Sequence, residues 1–207
     1  MEKFKKRLPN KEEIQALFIL SVFTFHIWSV PMFLYRVPGM LFYLGIGDLI
    51  HVAAYNQAFS LIECVIITGV SVLLCVLMPQ KYFKDHFVLQ GAFLIILTAI
   101  WAILYHVLEI AVSNYAWVWV NFLEGLSIPS PTLRDWLATE SGLFFIVLSI
   151  WMTLYLWLFL LSPQIARKNR SQRKRVIAFA DRASVLTTVF VLVDLTGLAI
   201  VVVNNAL

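Results

Sequence analysis

Three ionisable side chains lie deep inside apolar stretches of this chain: His26, Glu63 and Asp194. An imidazole between two carboxyls can hold a proton, relay one, or ligate a metal. Such groups are costly to place in hydrocarbon, so each is a functional candidate by default. Counted at ~1.5 Å per residue from the inner end of its segment, His26 stands ~18 Å along, Glu63 ~22 Å and Asp194 ~16 Å. The depths agree, so the three form one polar cluster near the membrane midplane if their helices are neighbours. The plainer alternative is a satisfied polar network that only fixes helix packing.

A second set lies toward the opposite membrane face from the N-terminus. Asp48 and His51 are spaced i,i+3, and so are His106 and Glu109. On a helix each pair shares a face. Two imidazoles and two carboxyls suit a borderline metal such as zinc, iron, manganese or copper, or a polar headgroup. The pattern is D-x-x-H with H-x-x-E rather than H-E-x-x-H, and histidine and tyrosine are ordinary residues at a membrane interface. A metal is therefore compatible with the sequence but not specified by it. A bis-histidine haem is disfavoured: its ligands would be His26 and His106, which differ by roughly 10 Å along the normal.

Other chemical templates are missing. There is no Gly-rich phosphate loop and no nucleophile elbow. Cys64 and Cys75 share one apolar segment, and eleven residues of helix separate them by roughly 16 Å, too far for a disulfide.

The elements that must position these groups follow from hydropathy. The 207 residues are 61% hydrophobic and only 14% charged, outside the range of soluble domains. The apolar residues fall in five blocks of membrane-spanning length: 14–34, 58–78, 87–111, 142–162 and 183–203. The predicted fold class is an all-α integral membrane protein with five transmembrane helices and no separate soluble domain. The second block has helical character reaching back toward Leu49.

Charge sets the expected orientation. Fourteen of the sixteen basic residues fall in residues 1–13, the connection after the second block, and 163–182; only Arg36 and Arg134 fall in the alternate connections. This positive-inside asymmetry places the N-terminus in the cytoplasm and the C-terminus outside, in a plasma (inner) membrane. The net charge of +4 is explained by these flanks, and no nucleic-acid partner is expected. The basic stretch 163–182 reads as a cytoplasmic loop.

The two outer connections, 35–57 and 112–141, are too apolar for solvated loops and read as short amphipathic interfacial segments. In the second, Ser130 suits an N-cap and Pro131 the first helical position. Trp117, Trp119 and Trp136 are the expected interfacial anchors. Pro31 is expected to kink the first helix, and Gly197 to permit close approach of another helix to the fifth.

Three functions remain open on these residues. The first is an accessory or structural subunit of a larger membrane complex, not catalytic on its own, with the bilayer and other membrane subunits as partners. The second is a metal- or redox-dependent subunit using either His/carboxyl set. The third is a small transporter or proton-conducting protein using the midplane set.

Overall fold

The computed structural model describes residues 8–78, 83–114, 116–126, 129–168 and 170–206, with side chains left out at some helical positions, chiefly 108–109, 111–120 and 162–172. Among the described residues all regular structure is helical. We label the helices α1 (Lys11–Met40), α2 (Ile46–Leu77), α3 (Phe87–Asn114), α4 (Ala116–Gly125), α5 (Pro131–Leu137), α6 (Glu140–Lys168) and α7 (Arg170–Ala206), with a 3-10 turn, Lys84–His86, before α3. Among the described residues, four stretches are long and apolar enough to cross a membrane: Lys11–Met40, Ile46–Leu77, Phe87–Val107 and Arg173–Asn204. The block expected at 142–162 lies in α6, where the described apolar stretch, Phe144–Leu158, is shorter.

Two expected connections take a different form. Residues 35–57 form no separate helix: α1 runs on to Met40, α2 starts at Ile46, and only residues 41–45 link them. The helix restarts there because Gly45 stands at its N-cap and the Asp48 carboxylate accepts the Gly45 N–H at 3.2 Å. Pro31 and Pro38 each remove one backbone donor from α1, yet the helix passes through both. The described residues of the basic stretch, 163–168 and 170–182, are likewise helical, ending α6 and opening α7, as their Lys, Arg, Gln and Ala content favours.

The chain divides into two compact units, residues 1–95 with 161–207, and residues 96–160. In the first, α1, α2 and α7 pack against one another. Their shared interior is built from small and polar residues: Ser21 on α1, Ala58, Cys64, Thr68 and Ser71 on α2, Ala180 and Thr187 on α7 are all buried. Small residues let helix backbones approach closely in lipid, where burial of apolar area drives nothing. Gly197 is the sharpest case, since a Cβ there would stand 2.8 Å from the Ala54 carbonyl oxygen. The close approach expected at Gly197 is thus made, onto α2. Gly91, at the start of α3, instead makes room for the Leu17 side chain of α1.

Toward the N-terminal end of α1, Ala16, Ile19, Ala180 and Ala183 form an apolar cluster, flanked by an edge-to-face contact of Phe23 with Phe179 at 5.2 Å. Glu13 closes this end. One carboxylate oxygen accepts the Asn10 N–H at 3.1 Å and the other accepts from Arg173 of α7 at 2.6 Å. A single side chain therefore caps α1 and ties it to α7.

The second unit contains the C-terminal part of α3, α4, α5 and the first part of α6. Ser130 caps α5 by accepting the Leu133 N–H at 3.4 Å, with Pro131 opening the helix, as the sequence predicts. Thr139 joins α5 to α6: its hydroxyl donates to the Trp136 carbonyl at 2.5 Å and accepts the Gly142 N–H at 3.2 Å. Trp101, Tyr105, Phe144 and Trp151 make an aromatic cluster, with Trp101 within 5.8–5.9 Å of Phe144 and Trp151. Several hydroxyls within the apolar helices fold back on their own backbones, as Ser149 does to Phe145 and Thr196 to Leu192. That satisfies them without water.

Candidate functional site: a buried histidine–aspartate pair

His26 and Asp194 meet at the α1–α7 contact. His26 Nε2 lies 2.8 Å from Asp194 Oδ1, across 168 residues of sequence. Both side chains are sealed, at 1% and 0% exposure. The other ring nitrogen, Nδ1, lies 2.8 Å from the Val22 carbonyl oxygen one helical turn earlier. A carbonyl can only accept, so Nδ1 carries a hydrogen. Nε2 then either accepts a hydrogen from a protonated Asp194 or donates one to a carboxylate. One proton occupies the bond in both cases, and the pair as a whole is electrically neutral. Neutrality is what a low-dielectric interior demands.

The neighbours fix the ring further. Phe190, one turn before Asp194, stacks on the imidazole with centroids 4.6 Å apart and planes 19° apart. Gln57 of α2 stands beside the same ring, and its amide oxygen is buried without a hydrogen-bond partner. Asp194 Oδ2 is also buried without one. Two acceptors thus remain open around an imidazole whose own two nitrogens are both engaged. The arrangement can hold one proton in a fixed place, and it fastens α1 to α7.

Glu63 does not join this pair. Its side chain is exposed on the face of α2 that α1 and α7 leave uncovered, while Cys64, the next residue, is fully buried. No hydrogen bond or ion pair reaches the Glu63 carboxyl among the described residues. The three-residue midplane cluster is therefore a two-residue pair with a separate carboxyl. One residue of helix turns the chain by about 100°, enough to carry Glu63 away from the interface that its depth matches.

The outer set also comes apart into separate roles. Asp48 caps α2, as above. His51 lies at the far end of that face, where its Nε2 and the Asn204 side-chain nitrogen of α7 are 3.3 Å apart. His106 and Glu109 belong to the other unit, and the Glu109 side chain lies outside the described residues. No group of three His, Cys, Asp or Glu side chains able to hold a metal occurs among the described residues. Of the expected anchors, Trp136 is exposed on α5, and the side chains of Trp117 and Trp119 on α4 lie outside the described residues.

Sequence reasoning missed the partners that make His26 rigid. Val22 and Phe190 are one turn from His26 and Asp194 respectively, a spacing that is visible in the sequence but unremarkable among so many apolar residues. The Glu13–Arg173 tie had a clearer signal, an acidic residue in the first turn of α1 and a basic one in the first turns of α7.

No protein-family model matches this chain, nor does any curated protein or solved structure.

Proposed function

We propose that this protein is a multi-pass subunit of a larger membrane complex, crossing the plasma membrane five times with its N-terminus in the cytoplasm. The observation that carries the reading is Glu63. Within the apolar block 58–78 it lies about 8 Å from one end and about 22 Å from the other. A carboxyl at that depth faces protein or a water-filled cavity, not lipid. α1 and α7, which pack on α2 in its own unit, do not cover it, and in this reading the covering surface is supplied by another subunit. The asymmetry of basic residues supports the orientation, and the apolar length of α6 supports the fifth crossing.

Purification of the tagged protein from its native membrane in a mild detergent tests the proposal. The expected result is a particle well above the 23.7 kDa of one chain, with stoichiometric companion polypeptides. A monomer with its own transport or catalytic activity would refute it.

One specific observation favours a second reading, proton handling: the sealed, neutral His26–Asp194 pair with its open Oδ2. Proton flux into proteoliposomes tests it, with Asp194→Asn as the control. Flux that ignores this change would exclude the pair from any conducting path. The metal-dependent reading draws no support from the described side chains.

A further inference from the structure

We infer that the packed core of α1, α2 and α7 carries protons between the His26–Asp194 pair and the end of the unit where Glu13 meets Arg173, along a lane of hydroxyl and thiol side chains. This inference rests on the second reading above, proton handling, and adds the route and the end from which the pair is reached.

The lane follows the inward face of α2. Ser60, Cys64, Thr68, Ser71 and Cys75 are all buried there, spaced by three or four residues. At about 100° per residue such positions fall on one face, and at ~1.5 Å per residue they extend over about 22 Å. Nearly every turn of that face thus offers a group that can both give and take a hydrogen bond. Close packing alone would be met by alanine, as at Ala54 and Ala58 of α2 and at Ala180 and Ala183 of α7. Cross-contacts join the members. Ser21 of α1 donates to the Phe18 carbonyl at 2.8 Å, so the Thr68 hydroxyl, 3.4 Å away, is the donor to Ser21 Oγ. Cys64 bonds to the same Ser21 and lies within electrostatic reach of Asp194. At the other end Cys75 lies within reach of Glu13.

Small polar residues also serve helix packing, and two unpaired groups separate the cases. Thr187 of α7 is 4% exposed and its hydroxyl has no hydrogen-bond partner, whereas Thr188 beside it and Thr196 return theirs to their own backbone. Thr187 shares the inward face of α7 with Ala180, Ala183 and Asp194. Asp194 Oδ2 is buried and open as well. Sealed polar groups without partners are costly, so their retention points to a mobile hydrogen. The pair has a single entrance. Nδ1 is committed to the Val22 carbonyl and Nε2 to Asp194 Oδ1, so a proton joins or leaves at Oδ2. Loading adds one proton and one positive charge there, unloading removes both, and no other bond changes. Beyond Asp194 the core is closed, because Gly197 meets the Ala54 backbone. The other ionisable groups acting on the route are Cys64, Cys75 and Glu63 of α2, with Glu13, Lys84 and Arg173 at its mouth.

Cys64 and Cys75 are the only cysteines of the chain, and both stand on the lane, so the test needs no added probe. The full-length protein in lipid vesicles is transferred from light to heavy water. The S–H stretch falls in a part of the infrared spectrum free of other protein bands and reports thiol exchange. Cys64→Ala and Cys75→Ala assign its two components. The expected order is Cys75 before Cys64, both well ahead of the α2 backbone amides. Thr68→Val keeps the shape of the side chain and removes the hydroxyl between the two thiols. It should slow exchange at Cys64 about tenfold, the factor for a barrier raised by one hydrogen bond, and leave Cys75 unchanged. Thr68→Ser should restore the native rate, and Thr188→Val should change nothing.

Several outcomes would overturn the inference. They are Thr68→Val without a slowing at Cys64, exchange at Cys64 ahead of Cys75, or both thiols exchanging only as slowly as the backbone around them. A variant that had loosened as a whole would speed both thiols instead of slowing one. If proton flux into vesicles depends on Asp194 in any of these cases, the proton-handling reading stands and the route lies elsewhere. Flux indifferent to Asp194→Asn, with the thiols exchanging in order, would leave a lane that does not end at the pair, and both the inference and the reading beneath it would fail.

Discussion

Asp194 and Glu63 are both carboxyls near the middle of a membrane-crossing helix, and their surroundings could hardly differ more. Asp194 is wholly buried, bonded to His26 at 2.8 Å and walled by Phe190. Glu63 is exposed and unbonded among the described residues. The first carboxyl is satisfied inside the fold, so its work is to fasten helices and hold a proton. The second is satisfied by nothing inside α1, α2 and α7, so its work lies in what the unit touches. Both stand well inside an apolar helix; azimuth around the helix separates them.

Removal of the buried carboxyl should have the largest effect. Asp194→Ala leaves His26 Nε2 sealed without a partner, and stability should fall by about 2–3 kcal/mol in reversible unfolding from detergent micelles. Asp194→Asn should cost less than about 1 kcal/mol, because its amide N–H can donate to Nε2 while Nδ1–H keeps the Val22 carbonyl. A double-mutant cycle with His26→Ala should report a coupling of about 1–2 kcal/mol, within the range of polar contacts in membranes. Equal losses from Asn and Ala would show that the bond contributes little and that packing around Asp194 dominates.

The two glycines that bracket the comparison come next. Gly197 lies against the Ala54 backbone, one turn beyond Asp194, whereas Gly69, on α2 as Glu63 is, opens onto free space. Gly197→Leu should destabilise by about 1–3 kcal/mol, since backbone rather than a yielding side chain stands in the way. Gly69→Ala should be neutral or stabilise by up to about 1 kcal/mol through helix propensity. A reversal of that order would mean that α2 and α7 do not cross closely at Ala54.

Arg173→Ala should have a smaller effect, about 0.5 kcal/mol. Arg173 is 51% exposed, and water and salt weaken its pair with Glu13. The loss should shrink further when the unfolding is repeated at high salt. An undiminished loss would point to packing by the arginine stem instead of charge.

These contrasts also mark what could be read from the chain. Membrane helices were legible because long apolar blocks have few other uses, and the close approach at Gly197 because small residues have a recognisable part in helix packing. His26 and Asp194 were legible by depth as two of three members of one cluster, on the condition that their helices are neighbours. Glu63 was misassigned for the same reason: depth counts residues along an axis, while burial depends on rotation about it, and Cys64 next door occupies the inward position. Asp48 was read as a metal-ligand candidate because its type fits that chemistry, yet its place three residues after Gly45 makes it a helix cap. The segment 35–57 hid a tight helix turn, since its apolar residues continue the helices on both sides and only Leu41–Gly45 breaks them.

The smallest expected effect on stability is at Glu63 itself, and that makes it the most discriminating. For the isolated chain, Glu63→Leu should change unfolding by no more than about 0.5 kcal/mol, because no bond inside α1, α2 and α7 is lost. The same substitution should reduce recovery of companion chains about tenfold in mild detergent, by removing the polar contact that the subunit reading assigns to it. A substitution silent for the fold and loud for assembly is the mark of an interface residue, whereas Asp194→Ala should be loud for both. If Glu63→Leu instead destabilised the isolated chain as strongly as Asp194→Ala, the carboxyl would have to be bonded within the chain, and the distinction between the two acids would collapse.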